Sequence, residues 1–278
     1  MLVVGENGSG KTNLLEALHV GTQGFSPRTR VERDLIRFGE SEAALALAVA
    51  RDGVRHEVRM RLSVGTAKTA ELDGARLASA DLLRRELPAL VFTPDRLAVI
   101  KGGPAARRAY FDRVIGRLQP ARAGLAQEYA ATLAQRNASL RRVQLGLAAA
   151  TLAYEGDTAT VEALTARLDA DIARGTTGLG PHLADVRIAV SGRDLRSFGS
   201  QGEQRLALLA LLLAEAELVP SRPLLLLDDV LSELDVRRRG VLAARIARME
   251  QTLVTATQAS ALPVEPAQVV EVTPGQAV

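Results

Sequence analysis

Cysteine is absent from the chain. Its absence excludes disulfides, cysteine-ligated zinc and thiol nucleophiles, and it fits a cytoplasmic setting. Tryptophan is missing too, and five phenylalanines and three tyrosines are the only large aromatics. That is too few for a platform on which unpaired bases stack in series. Lysine is scarce: Lys11, Lys68 and Lys101 stand alone, so nearly all of the 35 basic residues are arginine. No run is long and apolar enough to span a bilayer, and no signal-peptide pattern precedes the first motif, so no membrane partner is expected. No heptad pattern runs far enough for a projecting coiled coil. The net charge of +3 is small despite a pI near 9.7, so charge alone argues only weakly for a nucleic-acid partner.

The chain does have enough apolar residues, 47% of 278, for one large core or two lobes. It also has one complete phosphate-loop pattern, G-x-x-x-x-G-K-[ST], at residues 5–12 (GENGSGKT). The preceding MLVV reads as a strand end and residues 13–20 as a helix, the context such a loop requires. Gly5, Gly8 and Gly10 permit backbone angles that turn successive N–H groups of Glu6, Asn7 and Ser9 inward onto a phosphate chain. The helix adds its positive end. Lys11 is placed for the β- and γ-phosphates and Thr12 for Mg²⁺, so ATP or GTP with Mg²⁺ is the expected cofactor.

Residues 21–37 form a loop bearing Arg28, Arg30, Arg33 and Arg37, either a solvated charged turn or a contact to phosphates beside the nucleotide. Residues 44–50 and 54–64 read as strands, the second alternating between Val54, His56, Val58, Met60, Leu62 and charged neighbours. His56 is then a strand residue rather than a ligand. Asp73-Gly74 marks a hairpin. From Ala80 the pattern turns helical: 81–87, then 104–118 with Pro104 in its first turn, 121–147, and 158–174 closed by Gly175, with a brief strand at 89–92. Strands return at 185–190, 223–229 and 252–256, and the Pro-containing tail from Ser260 is expected to be irregular in part.

The apolar strand ending in Asp228-Asp229 is the expected partner of the phosphate loop, since α/β sheets hold ligands at their strand ends. Asp228 would hold Mg²⁺ through water, and Asp229 would polarise the attacking water as general base. SQGEQ at 200–204 opens a helix that Ser200 caps and where Gly202 permits close approach of a phosphate.

The order of phosphate loop, long insertion, SQGEQ, LLLLDD and Ser232-Glu233-Leu234-Asp235 resembles the ABC-type ATPases. Within that class, GENGSGKTNLLEAL at 5–18, FTPDRL at 92–97, KGGPAARRAYFD at 101–112, QRN at 135–137, GPH at 180–182, FGSQGEQRLALLAL at 198–211 and LLLLDDVLSELD at 224–235 are similar to the RecF family. The resemblance covers nearly the whole chain. It implies an α/β ABC-type P-loop ATPase head of two lobes. Lobe I, a mixed sheet with helices, would be formed by residues 1–79 and 185–278, and the inserted, mainly helical lobe II by 80–184. It implies ATP with Mg²⁺, held in a two-fold homodimer in which Ser200, Gln201 and Gly202 of one protomer complete the site of the other, with Asp235 at that interface. It further implies sequence-independent DNA binding at single-stranded gaps and junctions, with Arg28, Arg30, Arg107 and Arg108 as candidate contacts. The implied partners are RecR directly, with RecO and RecA in the pathway.

Three departures set expectations. RecF proteins carry further β-structure upstream of the phosphate loop, whereas here Met1 falls inside the strand, which predicts an unpaired sheet edge. The helical lobe is short between Leu140 and Leu152. Asp229 replaces the commoner glutamate, a shorter reach that suits slow hydrolysis used for switching. Two other readings stay open: a nucleotide-binding remnant without hydrolysis, and another ABC-type subunit of the transporter or chromosome-organising kind.

Overall fold

The computed structural model describes the chain apart from residues 52, 95, 119–149, 157–159, 177, 181, 182, 221 and 278. It divides into two compact units, one of Met1–Asp95 with Ser221–Val278, the other of Arg96–Pro220. The first begins with β1 (Leu2–Val4), α1 (Lys11–Gln23), β2 (Glu42–Arg51), β3 (Val54–Ser63), β4 (Thr69–Leu72), β5 (Ala75–Arg76), α2 (Asp81–Glu86) and β6 (Ala89–Phe92). The second holds α3 (Ala98–Lys101), α4 (Pro104–Leu118), β7 (Ala150–Glu155), α5 (Val161–Ala166), α6 (Leu168–Arg174), β8 (Asp185–Val190), β9 (Arg193–Asp194), α7 (Leu195–Phe198) and α8 (Gln201–Leu218). The chain then returns to the first unit for β10 (Leu224–Leu227), α9 (Val236–Ile246), β11 (Thr252–Ala256), β12 (Val269–Thr273) and β13 (Gln276–Ala277).

The main sheet of the first unit runs β13-β12-β1-β11-β10-β6, parallel except for the β12–β13 hairpin. A strand buried on both faces needs apolar residues at successive positions, which the LLLL of β10 provides. β1 is an inner strand: Leu2 lies opposite Val254 on one side and Val269 on the other. This corrects the expected open edge: β1 is paired on both sides beside the phosphate loop. The tail, expected to be irregular in part, supplies one of the pairing strands, because VVEVT alternates and its Val272 is buried against α1 and β1.

The second sheet, β2-β3-β4-β5, is an antiparallel meander. Val58, Met60 and Leu62 face inward while Arg55, Glu57, Arg59 and Arg61 face solvent, each buried side chain stabilising the fold by roughly 2 kcal/mol. Asp73 and Gly74 both take positive φ, 53° and 79°, as a tight two-residue hairpin of this twist requires. α1 serves both sheets. Leu14, Leu15 and Leu18 pack with Val3, Val91, Leu226 and Leu253 of the main sheet, and Val20 packs with the meander. Gly21 lets the meander close on the helix, since an added Cβ would lie 2.2 Å from a Leu47 methyl.

In the second unit β7, β8 and β9 form an antiparallel sheet, and α4 buries Tyr110, Phe111 and Val114. α8 is buried at every position from Leu206 to Ala216, in keeping with its apolar circumference. The unit boundaries differ from the expected 79/80 and 184/185. Residues 89–92 belong to the main sheet because Leu224–Leu227 pair with them, and α8 stays with residues 96–220. Ala150–Glu155, lying between the helical patterns expected at 121–147 and 158–174, is a strand because alternate residues Ala150 and Leu152 turn inward beside β8. The third helical pattern is two helices, capped by Thr160 and closed by Gly175 at φ 67°. The helix expected at 121–147, the QRN motif, His182 and the expected helix start at 158 lie outside the described residues.

Candidate functional site

The phosphate loop joins the end of β1 to α1. Gly8 and Gly10 have φ of 83° and 109°, so the pattern's glycines serve backbone angles that other residues adopt with strain. Gly5 serves space instead, because a Cβ there would meet the Val272 carbonyl at 2.3 Å. The C-terminal strand β12 therefore packs directly against the loop. Glu6, Asn7 and Gly8 form an exposed crest. Ser9 lies beneath them, its hydroxyl buried with no partner among the described residues.

Lys11 is 9% exposed, and its ammonium donates to the carbonyls of Gly5 and Glu6 at 2.7 Å each. These bonds fold the side chain back over the loop. α1 starts at Gly10 in a left-handed conformation with no side-chain cap, so its first N–H groups are left for a ligand.

Asp228 follows β10 and is 5% exposed. The register sets its neighbours: Leu227 lies opposite Val254, so the next step brings Asp228 beside Thr255 of β11. Thr255 donates to Asp228 Oδ1 at 2.9 Å, and Thr12 donates to the same oxygen at 3.1 Å. Burial pushes the Asp228 carboxyl above its ordinary value, the charge of Asp229 adds to this, and the two threonine hydroxyls oppose it. Thr12 and Asp228 thus bring two hard oxygen donors together, the ligand type and number that Mg²⁺ takes from protein when phosphates and water supply the rest. The neighbouring Asp229 is exposed and sits at φ 45°. Its N–H donates to Thr255 Oγ1 at 2.8 Å, and its carbonyl accepts from Ser232 at 2.8 Å. Asp235 caps α9, accepting from the Arg238 N–H at 2.8 Å.

Beside the start of α1 is a cleft of about 720 Å³ whose walls include Asn13, Glu16, Arg37, Phe38 and Pro274. Arg28 reaches Glu16 at 3.3 Å and Asn13 at 3.5 Å on the same helix, and Arg30 is exposed.

The second unit carries the other predicted site residues. Ser200 caps α8 in a full capping box. Its hydroxyl accepts from the Glu203 N–H at 3.3 Å, while its own N–H and hydroxyl each donate to Glu203 Oε2 at 2.8 Å. Those bonds, the backbone one first, hold the Glu203 carboxyl below the usual range. Gln201 and Gly202 are exposed, with open space around Gly202.

Arg107 corrects the expected DNA contacts. Its guanidinium is buried and clasps Asp185 through two bonds of 2.7 and 2.6 Å, with a third donated to the Gly102 carbonyl at 2.7 Å. The Asp185 bond raises the arginine's pKa. Burial opposes the charged Asp185, but the Arg107 bond, the Val186 N–H and nearby positive charge outweigh it and lower the carboxyl's pKa. Its donors are thus committed to fold-holding bonds. Arg108 is half-buried and donates to the Ala184 carbonyl at 2.6 Å.

Comparison with known proteins bears on this arrangement. Residues 1–277 match the family model for the RecF/RecN/SMC N-terminal domain. The DNA replication and repair protein RecF of Synechococcus sp. (strain JA-3-3Ab) is 33% identical over a 343-residue alignment, covering 99% of this chain and 90% of the relative. The protein of the same description from Anaeromyxobacter sp. (strain K) is 34% identical, covering 92% and 86%. The chain belongs to the RecF family. Among solved structures, the recombination mediator protein RecF bound to ATP shares the fold with TM-score 0.79 at 24% identity, covering 100% of this chain and 90% of that one. An Smc head bound to the C-winged helix domain of ScpA has TM-score 0.68 at 19% identity, covering 99% and 88%. The architecture is accordingly the RecF/SMC ATPase head, an α/β fold with a mixed sheet and helices.

Within this RecF-family head, the structure brings Gly5 to Thr12 together with Asp228 and Asp229. Three contributors went unread in sequence. Thr255 stands out only as a hydroxyl in an apolar strand, TLVTA. Val272 braces the loop from the tail expected to be irregular in part. The Arg107–Asp185 pair joins residues 78 apart, for which single-sequence patterns carry no sign.

Proposed function

We propose that the chain is an ATP-driven DNA-binding switch in recombinational repair and replication restart. ATP binding would close two copies on gapped or single-strand-containing DNA, and slow hydrolysis would release them. The observation that carries this reading is the Thr12–Asp228 bond of 3.1 Å beneath an intact phosphate loop, within a chain of the RecF family. The Ser9 hydroxyl, which has no partner among the described residues, and the uncapped start of α1 support a phosphate ligand there.

In this reading Lys11 and the loop N–H groups of residues 6–10 bind the phosphates, and Thr12 and Asp228 hold Mg²⁺. The cation supplies charge neutralisation on the phosphate oxygens. Asp229, exposed beside it, orients the attacking water. Ser200, Gln201 and Gly202 close the site of a second copy, with Asp235 beside the junction. Arg28, next to the site, and exposed Arg30 are the DNA contacts retained, chiefly to phosphates and hence salt-sensitive. RecR, with RecO and RecA downstream, are the partners, and the cytoplasm is the location. No helix among the described residues is long and apolar enough to cross a membrane.

The test is a gel shift on gapped and duplex DNA, with and without ATP, beside size-exclusion chromatography. Gapped DNA should be bound more tightly with ATP, together with a shift to dimer, and Lys11→Ala should abolish both. ATP-independent monomers with no DNA affinity would overturn the reading.

A further inference from the structure

Thr255 is completely buried in β11. A buried hydroxyl is costly unless bonded, and a valine would fill the same space without that cost. Here the hydroxyl works in both directions. It donates its single proton to Asp228 Oδ1 at 2.9 Å and accepts the Asp229 N–H at 2.8 Å. Those two residues are the carboxylates at the end of β10.

Each bond constrains a different degree of freedom. The first fixes the rotation of the Asp228 carboxylate, whose Oδ1 is then shared between Thr255 and Thr12. Once Thr12 turns its oxygen toward a cation, Thr255 is the remaining threonine on that oxygen. The second holds the Asp229 backbone at φ 45°, a strained conformation for a non-glycine residue that persists only when its surroundings impose it. Ser232 holds the carbonyl side of the same residue at 2.8 Å. The direction in which the Asp229 side chain leaves the backbone is therefore set partly by the Thr255 hydroxyl.

We propose that Thr255 is a positioning residue of the nucleotide site, one hydroxyl that couples the orientation of the cation-holding carboxylate to that of the water-orienting one. The inference rests on the ATPase reading above and deepens it. A hydroxyl that merely satisfied the core would affect stability alone, whereas this one would separate Mg²⁺-dependent from Mg²⁺-independent nucleotide binding.

The experiment compares wild type with Thr255→Val, Thr255→Ser and Lys11→Ala. ATP affinity is measured in EDTA and in Mg²⁺, and turnover in Mg²⁺. Thr255→Val should keep its ATP affinity in EDTA within about twofold, because Lys11 and the loop are untouched. The tightening of ATP by Mg²⁺, and the turnover, should each fall about 10-fold or more, as on losing a residue that orients a metal ligand. Thr255→Ser should restore both to within about threefold, since it returns the hydroxyl. Should the valine fail to fold, Thr255→Ala carries the same expectation, because it also removes the hydroxyl and adds no bulk. Lys11→Ala should lose ATP in both conditions, which separates a broken loop from a misoriented carboxylate. Unchanged Mg²⁺ tightening and turnover in a folded variant lacking the hydroxyl would overturn the proposal. Wild type that binds ATP without hydrolysing it leaves the affinity ratio to decide. Wild type that binds no ATP in either condition overturns the ATPase reading itself, and this inference with it.

Discussion

Two helix starts carry the predicted chemistry, and they are built in opposite ways. α1 begins at a left-handed Gly10 with no side-chain cap, its loop drawn inward by Lys11 and braced by β12. α8 begins at Ser200 with both halves of a capping box closed, and Gln201 and Gly202 exposed. An uncapped helix start is tolerable where a ligand supplies the missing acceptors. A fully capped start needs none to be stable, so whatever Ser200 binds must compete with Glu203 for its hydroxyl proton. The first start is left without a side-chain cap, whereas the second is satisfied within the chain.

The largest expected effect separates the two on chemistry. Asp228→Asn leaves the loop and Lys11 intact, so ATP binding without Mg²⁺ should hold within a few-fold. Mg²⁺-dependent turnover should fall about 10²–10³-fold, the scale of losing a main electrostatic contributor. Isothermal titration in EDTA against a phosphate-release assay in Mg²⁺ reads the split. Equal losses in both would mean that Asp228 supports the loop rather than the cation.

Ser200→Ala tests the other start. Nucleotide binding by the isolated protomer should be unchanged, while ATP-dependent dimerisation and turnover should fall about 10-fold or more if that hydroxyl meets a partner's nucleotide. Sedimentation with and without ATP distinguishes this from simple loss of a helix cap, which would lower the melting temperature and leave the monomer–dimer balance alone. Glu203→Gln sharpens the point. It keeps much of the box geometry but weakens the hold on Ser200, so dimerisation should become easier as the cap loosens.

Arg107→Ala breaks neither start and serves as the structural contrast. It strands Asp185, a partly buried carboxylate, and should cost about 3 kcal/mol of stability at neutral pH. The pH dependence has a definite sign. The folded pKa of Asp185 lies below its unfolded value, so the pair's contribution is complete above about pH 4 and fades as pH falls toward the folded value. Urea unfolding at pH 7 and pH 3 should show a smaller gap between wild type and Arg107→Ala at the lower pH. Loss of DNA binding without loss of stability would return Arg107 to the DNA-contact class.

The same contrast explains what could be read in the sequence. Phosphate loop, acidic strand and capped α8 are local: a few adjacent residues fix a turn, a strand end or a cap, so Gly8, Gly10, Asp228 and Ser200 were legible. The DG hairpin and the alternation of β3 were legible for the same reason. What escaped depends on register between distant segments. That Asp228 meets Thr255, that Val272 closes on Gly5, and that Arg107 finds Asp185 follow from parallel pairing and packing that no short window encodes. Arg107 looked like a basic surface residue because arginine usually is one, and its burial became visible only with its partner.

The smallest effect probes the open start most finely. The Ser9 hydroxyl is buried without a partner among the described residues, so Ser9→Ala removes a desolvated polar group and should stabilise the ligand-free protein by about 1 kcal/mol. If the hydroxyl waits for a phosphate oxygen, the same change should weaken ATP several-fold, as losing one ordinary hydrogen bond does. Differential scanning fluorimetry with and without MgATP reads both signs on one sample. The variant should melt higher than wild type alone and gain less from MgATP. A lower melting point without ligand would mean that Ser9 is held by the fold, and α1 would then be less open to a ligand than its missing cap suggests.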